Sequence, residues 1–490
     1  MYKKLKGLVA VFALVAATFA VMPVQAETVQ NSMGHDPSGK GKINKPQMFL
    51  KNNTSGNNKQ PGESFAAECP PTVKCVVVPA AYANNNPDDP VDYGNYDRAN
   101  RPNDGMKINS VVVHDTEGTL EEVINTFQNP TSYVSSHYVI DKDGTVYQMV
   151  QNKDVAWHAG NWQWNMQSIG IEHIGHASTG STDYTPEMYR ASSQLVKWLS
   201  KKYGFPVDRQ HVVGHDSIPA PRPANLADMH VDPGPFWNWQ NYIAMAGGSL
   251  FDLKDENAMR SEAMNAKVVS ISPIWQINKQ NVTGGCWPDP DTCVPAEPTN
   301  TNFAYLRTEP RKDAPLIKDG VTGQQGTEEI SNMIARGLYG QKCTVLDRKL
   351  ERDGLWYQLQ FGGQKVWLFS PWKSPTAFPA KAQTVTPKAG AVTIAVYGRP
   401  LPEKSEYPKD FTAPEGAVPH PEQTKLAYTI KAGEAYTVAG EPVKATNFYA
   451  WTYNSSLPYD HTVFTGKEEY VPIQLNNRIY YVKKSDVVVR

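Results

Sequence analysis

The chain has 490 residues, with 48 Lys plus Arg against 49 Asp plus Glu, and therefore a formal net charge of −1 at pH 7. Its length predicts about three domains, since one domain commonly holds roughly 100–200 residues. The balanced charge excludes a global field that would favour nucleic acid, and no run of basic residues interleaved with aromatics provides a local one. We therefore expect several globular domains and no nucleic-acid partner.

The first 26 residues predict export. Three lysines among the first six residues precede an apolar run, and Val-Gln-Ala at 24–26 is a small-residue cleavage pattern. This arrangement is typical of a secretory signal peptide. A retained membrane anchor is the alternative, but the apolar run is shorter than the about 20 residues that span a bilayer. We expect a secreted protein without a membrane partner after cleavage.

The cysteines fit an oxidising compartment. Cys69 lies near Cys75 and Cys286 lies near Cys293, so two short disulfide loops are the simplest pairing. A four-thiolate zinc site is the alternative, but neither pair has the gap of about two to four residues that is typical of such sites. Cys343 remains, within an apolar strand-like run, and is expected to be a buried free thiol.

Residues 27–76 are expected to form a disordered N-terminal segment. Most of this stretch is rich in Asn, Gly, Lys, Gln and Ser and has few large apolar side chains, so it cannot bury enough surface to offset the cost of ordering. A long polar stretch, Asn84–Gly105, then reads as a loop that wraps the first domain or forms one wall of a groove.

Residues 77–250 predict an α/β domain, with one mixed central sheet flanked by helices. Apolar runs of strand length alternate there with segments whose apolar residues recur at helical spacing. The expected elements are a buried strand at Ile108–His114, a helix behind the capping box Thr119–Glu122, a hairpin of Tyr138–Asp141 with Thr145–Val150, a strand at Ser168–His173, a helix from Pro186 to Gly204, a strand at His211–Gly214 and a last helix that starts near Asp232 and carries Phe236 and Trp237.

The rest of the chain predicts small all-β domains. Leu-Arg-x-x-Pro at 306–310, Gly-Leu-Trp-Tyr at 354–357 and Gly-x-x-x-Trp-Leu at 363–368 resemble a bacterial SH3-like barrel, with residues 320–339 as an insertion. Exposed aromatics here could bind glycan or peptide, although filling the barrel cores is the simpler role. The expected divisions are a linker with a disulfide loop at 251–300, an SH3-like domain at 301–375, a linker at 376–391 and a second, diverged SH3-like domain at 392–490.

Four polar residues in the α/β domain suggest a metal site. His114 ends a buried strand, while His215, His230 and Asp232 lie in a proline-rich segment that must be mostly loop. Singly, each fits an ordinary role, such as a hydrogen-bonded histidine or the Asp of an Asp-Pro-Gly turn. Together, His114, His215 and Asp232 match the three protein ligands that a catalytic zinc ion takes.

The order of the motifs strengthens this interpretation. VVVHDTEG, SSHYVIDKDGTVYQMV, AWHAGNW, SIGIEH, GHDSI and HVDPGPFW follow one another along the chain. In this order they closely resemble the zinc-dependent N-acetylmuramoyl-L-alanine amidases, the group that includes phage lysozyme-type amidases and peptidoglycan recognition proteins. The resemblance covers about Val77–Gly247.

The resemblance implies roles for named residues. His114, His215 and Asp232 would bind Zn²⁺, and Glu172 would be the general base that takes a proton from water. His230 stands where relatives often carry Lys, and could stabilise the oxyanion or protonate the amine when it is charged. The residues implied in substrate binding are Trp157, His158, Asn161 and His137, with core or supporting roles as alternatives for Trp157 and His137.

One departure leaves the ligand set open. Sixteen residues separate His215 from Asp232, more than the compact spacing of the family, and Ala220–Asp228 looks inserted beside the site. The insertion could form a wall over the groove. With this spacing, His230 could bind the metal in place of Asp232.

These observations favour an exported, wall-associated, monomeric zinc amidase that acts on peptidoglycan. It would cut the bond between N-acetylmuramic acid and the L-alanine of the stem peptide, while the C-terminal domains hold it on the wall. A peptidoglycan recognition protein that has lost catalysis is the first alternative. A zinc amidase or peptidase of different specificity on the same scaffold is the second.

Overall fold

The computed structural model describes residues 59–248, 256–284, 294–295, 299–411 and 423–490. They form an α/β unit (69–248), a middle β unit (268–379) and a C-terminal β unit (384–490). The predicted signal peptide, residues 27–58 of the predicted disordered segment, and the Cys286 and Cys293 pair lie outside the described residues. Within the described part of the chain, no helix is both long and apolar enough to cross a membrane.

The α/β unit is built on a six-stranded mixed sheet, which confirms the predicted fold class. The strand order is β1-β7-β6-β9-β5-β10, and only β6 and β7 pair antiparallel. The elements are β1 Cys75–Val77, β2 Ala83–Asn86, β3 Asp89–Gly94, β4 Tyr96–Asp97, β5 Ser110–Val113, α1 Leu120–Phe127, β6 Tyr138–Ile140, β7 Val146–Gln148, β8 Val155–Ala156, α2 Trp162–Gln167, β9 Ser168–His173, α3 Gly180–Asp183, α4 Pro186–Tyr203, β10 Val212–Gly214 and α5 Trp239–Met245.

Several local predictions are confirmed. Thr119 and Glu122 form the capping box of α1, Thr185 caps α4, and Gly204 ends α4 with a φ of 79°. The last helix begins later than predicted, at Trp239, because Asn238 is its cap. The polar stretch predicted as a loop contains the β2–β3 hairpin and β4, which pairs with β8.

The start of the α/β unit differs from the predicted disordered segment. β1 is an edge strand of the main sheet, and the Cys69–Cys75 disulfide predicted from the spacing is present. Further back, the Gly62 amide donates to the Ala80 carbonyl at 3.0 Å. Residues 59–76 are therefore attached to the sheet by pairing that their polar composition did not reveal.

The two faces of the main sheet are covered differently. On one face, Val111 and Val113 pack with side chains of α1, α4 and α5. On the other face, Val112 packs with Trp164 of α2 and with Ile479 of the C-terminal unit. The sheet is thus covered on both faces, as its continuous apolar strand predicted, and part of the second cover comes from the distant C-terminal unit.

The middle β unit is one seven-stranded antiparallel sheet in the order β15-β14-β18-β17-β16-β11-β19. Its strand β11 lies inside the predicted linker 251–300 and pairs with both β16 and β19. Cys343 is buried and free, as predicted. The elements are α6 Glu256–Asn265, β11 Val268–Ile271, β12 Thr283–Gly284, β13 Val294–Pro295, β14 Phe303–Arg307, β15 Arg336–Leu338, β16 Gln341–Leu350, β17 Gly354–Phe361, β18 Gln364–Pro371 and β19 Ala377–Pro379.

The C-terminal β unit is an eight-stranded antiparallel sheet. Both C-terminal units are therefore mostly antiparallel β, in line with the predicted class, while the SH3-like assignment stays a prediction. The strands are β20 Thr384–Pro387, β21 Thr393–Tyr397, β22 Lys425–Lys431, β23 Tyr436–Val438, β24 Val443–Tyr449, β25 Thr462–Gln474, β26 Ile479–Lys483 and β27 Val487–Val489.

A buried arginine ties the loops of the α/β unit together. Arg101 is 3% exposed, and burial lowers its pKa to about 10, so it remains charged near neutral pH. Its guanidinium contacts Nε2 of His137 at 2.9 Å. It also donates to the backbone carbonyls of Asn152, Asp154, Asn165, Met166 and Ser168.

Arg101→Met should destabilise the protein by more than about 3 kcal/mol, because it leaves several buried carbonyls without a donor. The free energy of unfolding in urea, followed by Trp fluorescence, measures this. Arg190→Met is the control: the Arg190 side chain forms an exposed pair with Glu187 at 3.5 Å, so its loss should cost no more than about 1 kcal/mol. Equal losses for the two variants would contradict the assigned role of Arg101.

Candidate active site

The candidate site lies at the carboxyl ends of three adjacent parallel strands. The sheet order β9-β5-β10 places Glu172, His114 and His215 side by side at the same edge. The His114 amide donates to the Ile171 carbonyl at 2.9 Å, so His114 and Glu172 are neighbours across the strand pair. Binding sites in open α/β sheets form at this edge because the strand ends hold polar groups while the loops give them access.

Asp232 joins the two histidines from the loop that follows β10. Its carbonyl accepts from the Asp216 amide at 2.9 Å, which holds the two ends of the long loop together. The Nδ1 atoms of His114 and His215 lie 3.0 Å apart. Asp232 Oδ2 lies 3.2 Å from Nδ1 of His114, and Oδ1 lies 3.1 Å from Nδ1 of His215.

These three side chains fit a single divalent metal ion. They are the group of His, Cys, Asp and Glu side chains, among the described residues, whose ligand atoms all lie within 4.8 Å of one another. Tetrahedral zinc with bonds of about 2.0–2.1 Å separates its ligand atoms by about 3.3 Å, close to the observed triangle. The long loop therefore still brings Asp232 to the two histidines.

A buried hydrogen-bond chain fixes the proton position on His114. The Ser168 hydroxyl donates to the Trp164 carbonyl, so its oxygen accepts from Nε2 of His158 at 3.2 Å. Burial lowers the pKa of His158 well below its usual range, so its ring is neutral and Nδ1 is an acceptor. Nε2 of His114, 3.0 Å away, must then donate to it. The lone pair of His114 Nδ1 is consequently left facing His215 and Asp232.

A glycine makes room for this chain. A Cβ atom at Gly170 would lie 2.5 Å from the ring of His158 and 2.7 Å from Oγ of Ser136. The histidine ring therefore packs directly on the backbone of β9, next to Ile169 and Ile171. This close approach explains the glycine in the middle of the SIGIEH strand.

The charges of the cluster suit a cation. Burial, followed by the neighbouring His215, lowers the pKa of His114 to about 4, so His114 is neutral near pH 7. Burial alone would raise the pKa of Asp232, but His215 and His114 outweigh it and hold the pKa well below its usual range. A carboxylate and a bare imidazole nitrogen thus converge on one point, where a shared cation relieves their repulsion.

Glu172 supplies a second carboxyl group at the same edge. It is 8% exposed, and its Oε2 atom has no hydrogen-bond partner in the structure. Burial, with a smaller contribution from the Asp232 charge, raises the pKa of Glu172 well above its usual range. A buried carboxyl group with an unpaired oxygen and a raised pKa is suited to exchange protons.

His230 lies beside the cluster rather than within it. Its ring stacks on that of His215, with centroids 4.3 Å apart and planes 6° apart. Its Nδ1 atom lies 3.7 Å from Oδ1 of Asp232. Burial, then His215, lowers its pKa to about 3, so the ring is neutral near pH 7 and offers an N–H group rather than a positive charge.

Trp157, Asn161 and His137, which the resemblance implied in substrate binding, are buried in the structure. Nε1 of Trp157 donates to Asp97 at 2.6 Å, and its ring packs in an aromatic cluster. Asn161 caps α2 and donates to the carbonyls of Pro219 and Gly398, both at 2.9 Å. Nδ1 of His137 accepts from the Gly170 amide at 3.1 Å. Each side chain is fully engaged by the protein, which leaves little surface for a ligand.

Two residues that support the site, Ser168 and Arg478, could not be identified from the sequence. Ser168 completes the chain behind His114, and its position at the start of β9 carries no motif of its own. Arg478, in the turn between β25 and β26, donates to four carbonyls of the loop from His215 to Asp232, which we call the metal loop. No local signal in the tail could reveal a contact across about 250 residues of chain, since only the tertiary fold brings them together.

A cavity of about 590 Å³ opens beside the cluster. Asp232 and His230 line it together with Asp115 and Glu117 of the α/β unit. The α/β unit also contributes residues 176–178, 226, 227, 229 and 231, and the rest of the lining comes from the middle and C-terminal units. The metal-type cluster thus has a neighbouring space large enough for a small substrate.

Comparison with known proteins agrees with this geometry. Residues 104–235 match the model of a family described as N-acetylmuramoyl-L-alanine amidase. Over 171 residues the chain is 33% identical to N-acetylmuramoyl-L-alanine amidase A of Achromobacter lyticus, which covers 32% of this chain and 92% of that protein. It is also 31% identical over 117 residues to 1,6-anhydro-N-acetylmuramyl-L-alanine amidase AmpD of Haemophilus influenzae, covering 23% of this chain and 58% of the relative.

Solved structures are matched over part of the chain. A selenomethionine derivative of AmpD matches 36% of this chain and 94% of its own at 24% identity, with a TM-score of 0.26. The clustered residues His114, His215 and Asp232 all lie within the segment that matches the family model. Because the chain is 33% identical to the Achromobacter enzyme across 92% of that enzyme, it belongs to the N-acetylmuramoyl-L-alanine amidase family.

Proposed function

We propose that the protein is an exported, zinc-dependent peptidoglycan amidase. It would hydrolyse the amide bond between the lactyl group of N-acetylmuramic acid and the L-alanine of the stem peptide. The observation that carries the proposal is the buried triangle of His114, His215 and Asp232, whose nearest ring nitrogen and carboxylate oxygen atoms lie 3.0–3.2 Å apart. The signal-like N-terminus supports export, and the family supports the substrate. A monomer that acts at the cell wall completes the proposal.

The residues of the chain divide the chemistry among them. A zinc ion held by His114, His215 and Asp232 would lower the pKa of water and polarise the scissile carbonyl. Glu172 accepts the proton of the attacking water on its unpaired Oε2 and returns it to the nitrogen of the leaving L-alanine. The N–H of neutral His230 offers a hydrogen bond to the developing oxyanion. His158 holds His114 in the tautomer that binds metal.

Removal of a ligand should abolish metal binding. Loss of a residue that only supports a ligand lowers metal affinity by up to about 100-fold. His215→Ala and Asp232→Asn should each lower zinc affinity by more than that, because each removes a direct ligand. Bound zinc is measured by mass spectrometry of the metal, and activity by the L-alanine amino groups exposed on peptidoglycan. Chelation should stop the wild-type enzyme and added zinc should restore it.

His211→Ala is the matched control for these ligand variants. His211 precedes β10, and its Nδ1 atom pairs with Asp208 at 2.8 Å, away from the cluster. This variant should keep both zinc and activity. Full zinc in His215→Ala, or reducing sugar rather than amino groups as the product, would exclude the proposal.

Glu172→Gln should separate catalysis from metal binding. The amide keeps the shape of the side chain but cannot accept the proton, so kcat should fall about 10²–10⁴-fold while bound zinc stays unchanged. Glu187→Gln, on the exposed surface of α4, is the control and should retain wild-type kcat. A Glu172→Gln enzyme with normal kcat would show that another group takes the proton.

His158→Ala should weaken zinc binding about 10–100-fold, although His158 contacts no proposed ligand atom of the metal. Without His158, Nε2 of His114 loses its acceptor, and the ring can turn or exchange its proton to Nδ1. Competition with a fluorescent chelator measures the affinity. Unchanged affinity in a folded His158→Ala protein would mean that the hydrogen-bond chain does not set the tautomer.

A further inference from the structure

The cavity beside the metal cluster is shared by all three units of the chain. Its lining continues from Asp232 and His230 to the hairpin at 316–326 of the middle unit and the turn at 476–478 of the C-terminal unit. Lys318 and Gln325 form a β-bridge in that hairpin. The two units predicted as wall-anchoring modules therefore line the same space as Asp232.

The walls of the cavity are fixed in place by buried contacts. Arg478 donates to the carbonyls of Ile218 at 2.8 Å and His230 at 2.9 Å, which bracket the insertion beside the site. Gly398 approaches the α/β unit so closely that a Cβ there would lie 1.8 Å from the Ala220 carbonyl oxygen. These contacts hold the C-terminal unit against the loop that carries His230 and Asp232.

Most of the residues that the β units contribute to the lining are polar or charged. Asn477 is 6% exposed, and its Oδ1 atom has no hydrogen-bond partner in the structure. Lys318 is exposed and makes no ion pair among the described residues, while Asp319 accepts from the Tyr428 hydroxyl at 2.5 Å. Six carboxamide side chains line the cavity, namely those of Gln324, Gln325, Gln364, Asn332, Asn476 and Asn477.

This chemistry suits a peptide better than a sugar chain. Carboxamides donate to and accept from peptide groups, but they also satisfy sugar hydroxyls and N-acetyl groups. The charged groups decide between the two, because Lys318 lines the cavity without an ion pair among the described residues, whereas Arg478 and Asp319 are already engaged by the protein. The glycan backbone of peptidoglycan is uncharged, whereas its stem peptides carry carboxylates and amines. Only the peptide offers Lys318 a carboxylate.

We propose that this cavity binds the stem peptide on the leaving-group side of the scissile bond, and that the two β units determine substrate specificity. The proposal rests on the amidase function proposed above. Lys318 would pair with a carboxylate of the peptide, and Oδ1 of Asn477 would accept from a peptide N–H. The β units are then part of the enzyme's substrate site rather than separate anchors.

Two substrates of different peptide length test the cavity assignment with the full-length enzyme. N-acetylmuramoyl-L-alanine ends before the cavity, whereas an N-acetylmuramoyl tetrapeptide would enter it. The wild-type kcat/KM should favour the tetrapeptide substrate at least about tenfold, and Lys318→Met should reduce that preference about tenfold, the effect of one lost charged hydrogen bond. Lys318→Glu should reduce it further because it repels the carboxylate. Calorimetry with the free tetrapeptide should show a matching rise in Kd.

Lys312→Met is the matched control, since Lys312 is an exposed lysine of the same segment that pairs with Asp353 and does not line the cavity. It should keep the wild-type preference. Equal turnover of both substrates, or equal effects of Lys318→Met and Lys312→Met, would overturn the inference while the amidase function stands.

The two proposals can fail separately. Hydrolysis of neither substrate would refute the amidase function, and calorimetry would then still decide what the cavity binds. Tetrapeptide binding that Lys318→Met leaves unchanged would refute the cavity assignment. So would tighter binding of a peptide-free N-acetylglucosamine oligomer, because it would make the cavity a glycan site.

Discussion

The convergence of two histidine rings and one carboxylate on a single point is the constraint on which the candidate site depends. Nδ1 of His114, Nδ1 of His215 and the Asp232 carboxylate lie 3.0–3.2 Å apart in a buried setting. A single divalent cation placed between these atoms could be bound by all three side chains. The fold holds them there because two come from the ends of adjacent parallel strands, and because a buried chain through His158 and Ser168 leaves His114 no other tautomer.

The second face of the central sheet links this site to the rest of the chain. Two adjacent residues, Arg478 in the turn before β26 and Ile479 in β26, contact different parts of the α/β unit. Ile479 packs under the sheet with Val112 and Val213, where full burial of such a side chain contributes about 1.5–3 kcal/mol, while Arg478 reaches the carbonyls of the metal loop. The same docking that completes the core therefore also positions the loop that carries Asp232.

Much of the α/β unit could be predicted because its signals are local. The capping box at Thr119, the start of α4 behind Thr185 and the buried strand at Val111–Val113 each depend on residues next to one another. The candidate ligands His114, His215 and Asp232 could be named because ordered motifs resemble a known family. The structure then brings those three together without any further assumption.

The remaining features depend on contacts between distant parts of the chain. Trp157 has an apolar ring and a polar N–H, so the sequence allows it to lie either in a substrate groove or in the core. In the structure it lies in the core, where its N–H donates to the buried Asp97 of β4. Strand β11 lies in a stretch that reads as a linker until its pairing with β16 and β19 is known. Composition and periodicity carry no information about such partners.

The long loop between His215 and Asp232 is supported by the C-terminal unit. A longer loop has more backbone carbonyls at its base, and each buried carbonyl needs a donor. Arg478 supplies donors to His215 and Ile218 before the insertion and to Met229 and His230 after it. Leu226, within the insertion, packs against the core of the C-terminal unit. The C-terminal unit therefore contacts both the insertion that left the third ligand open in the sequence and the residues on either side of it, and so supports the loop that carries Asp232.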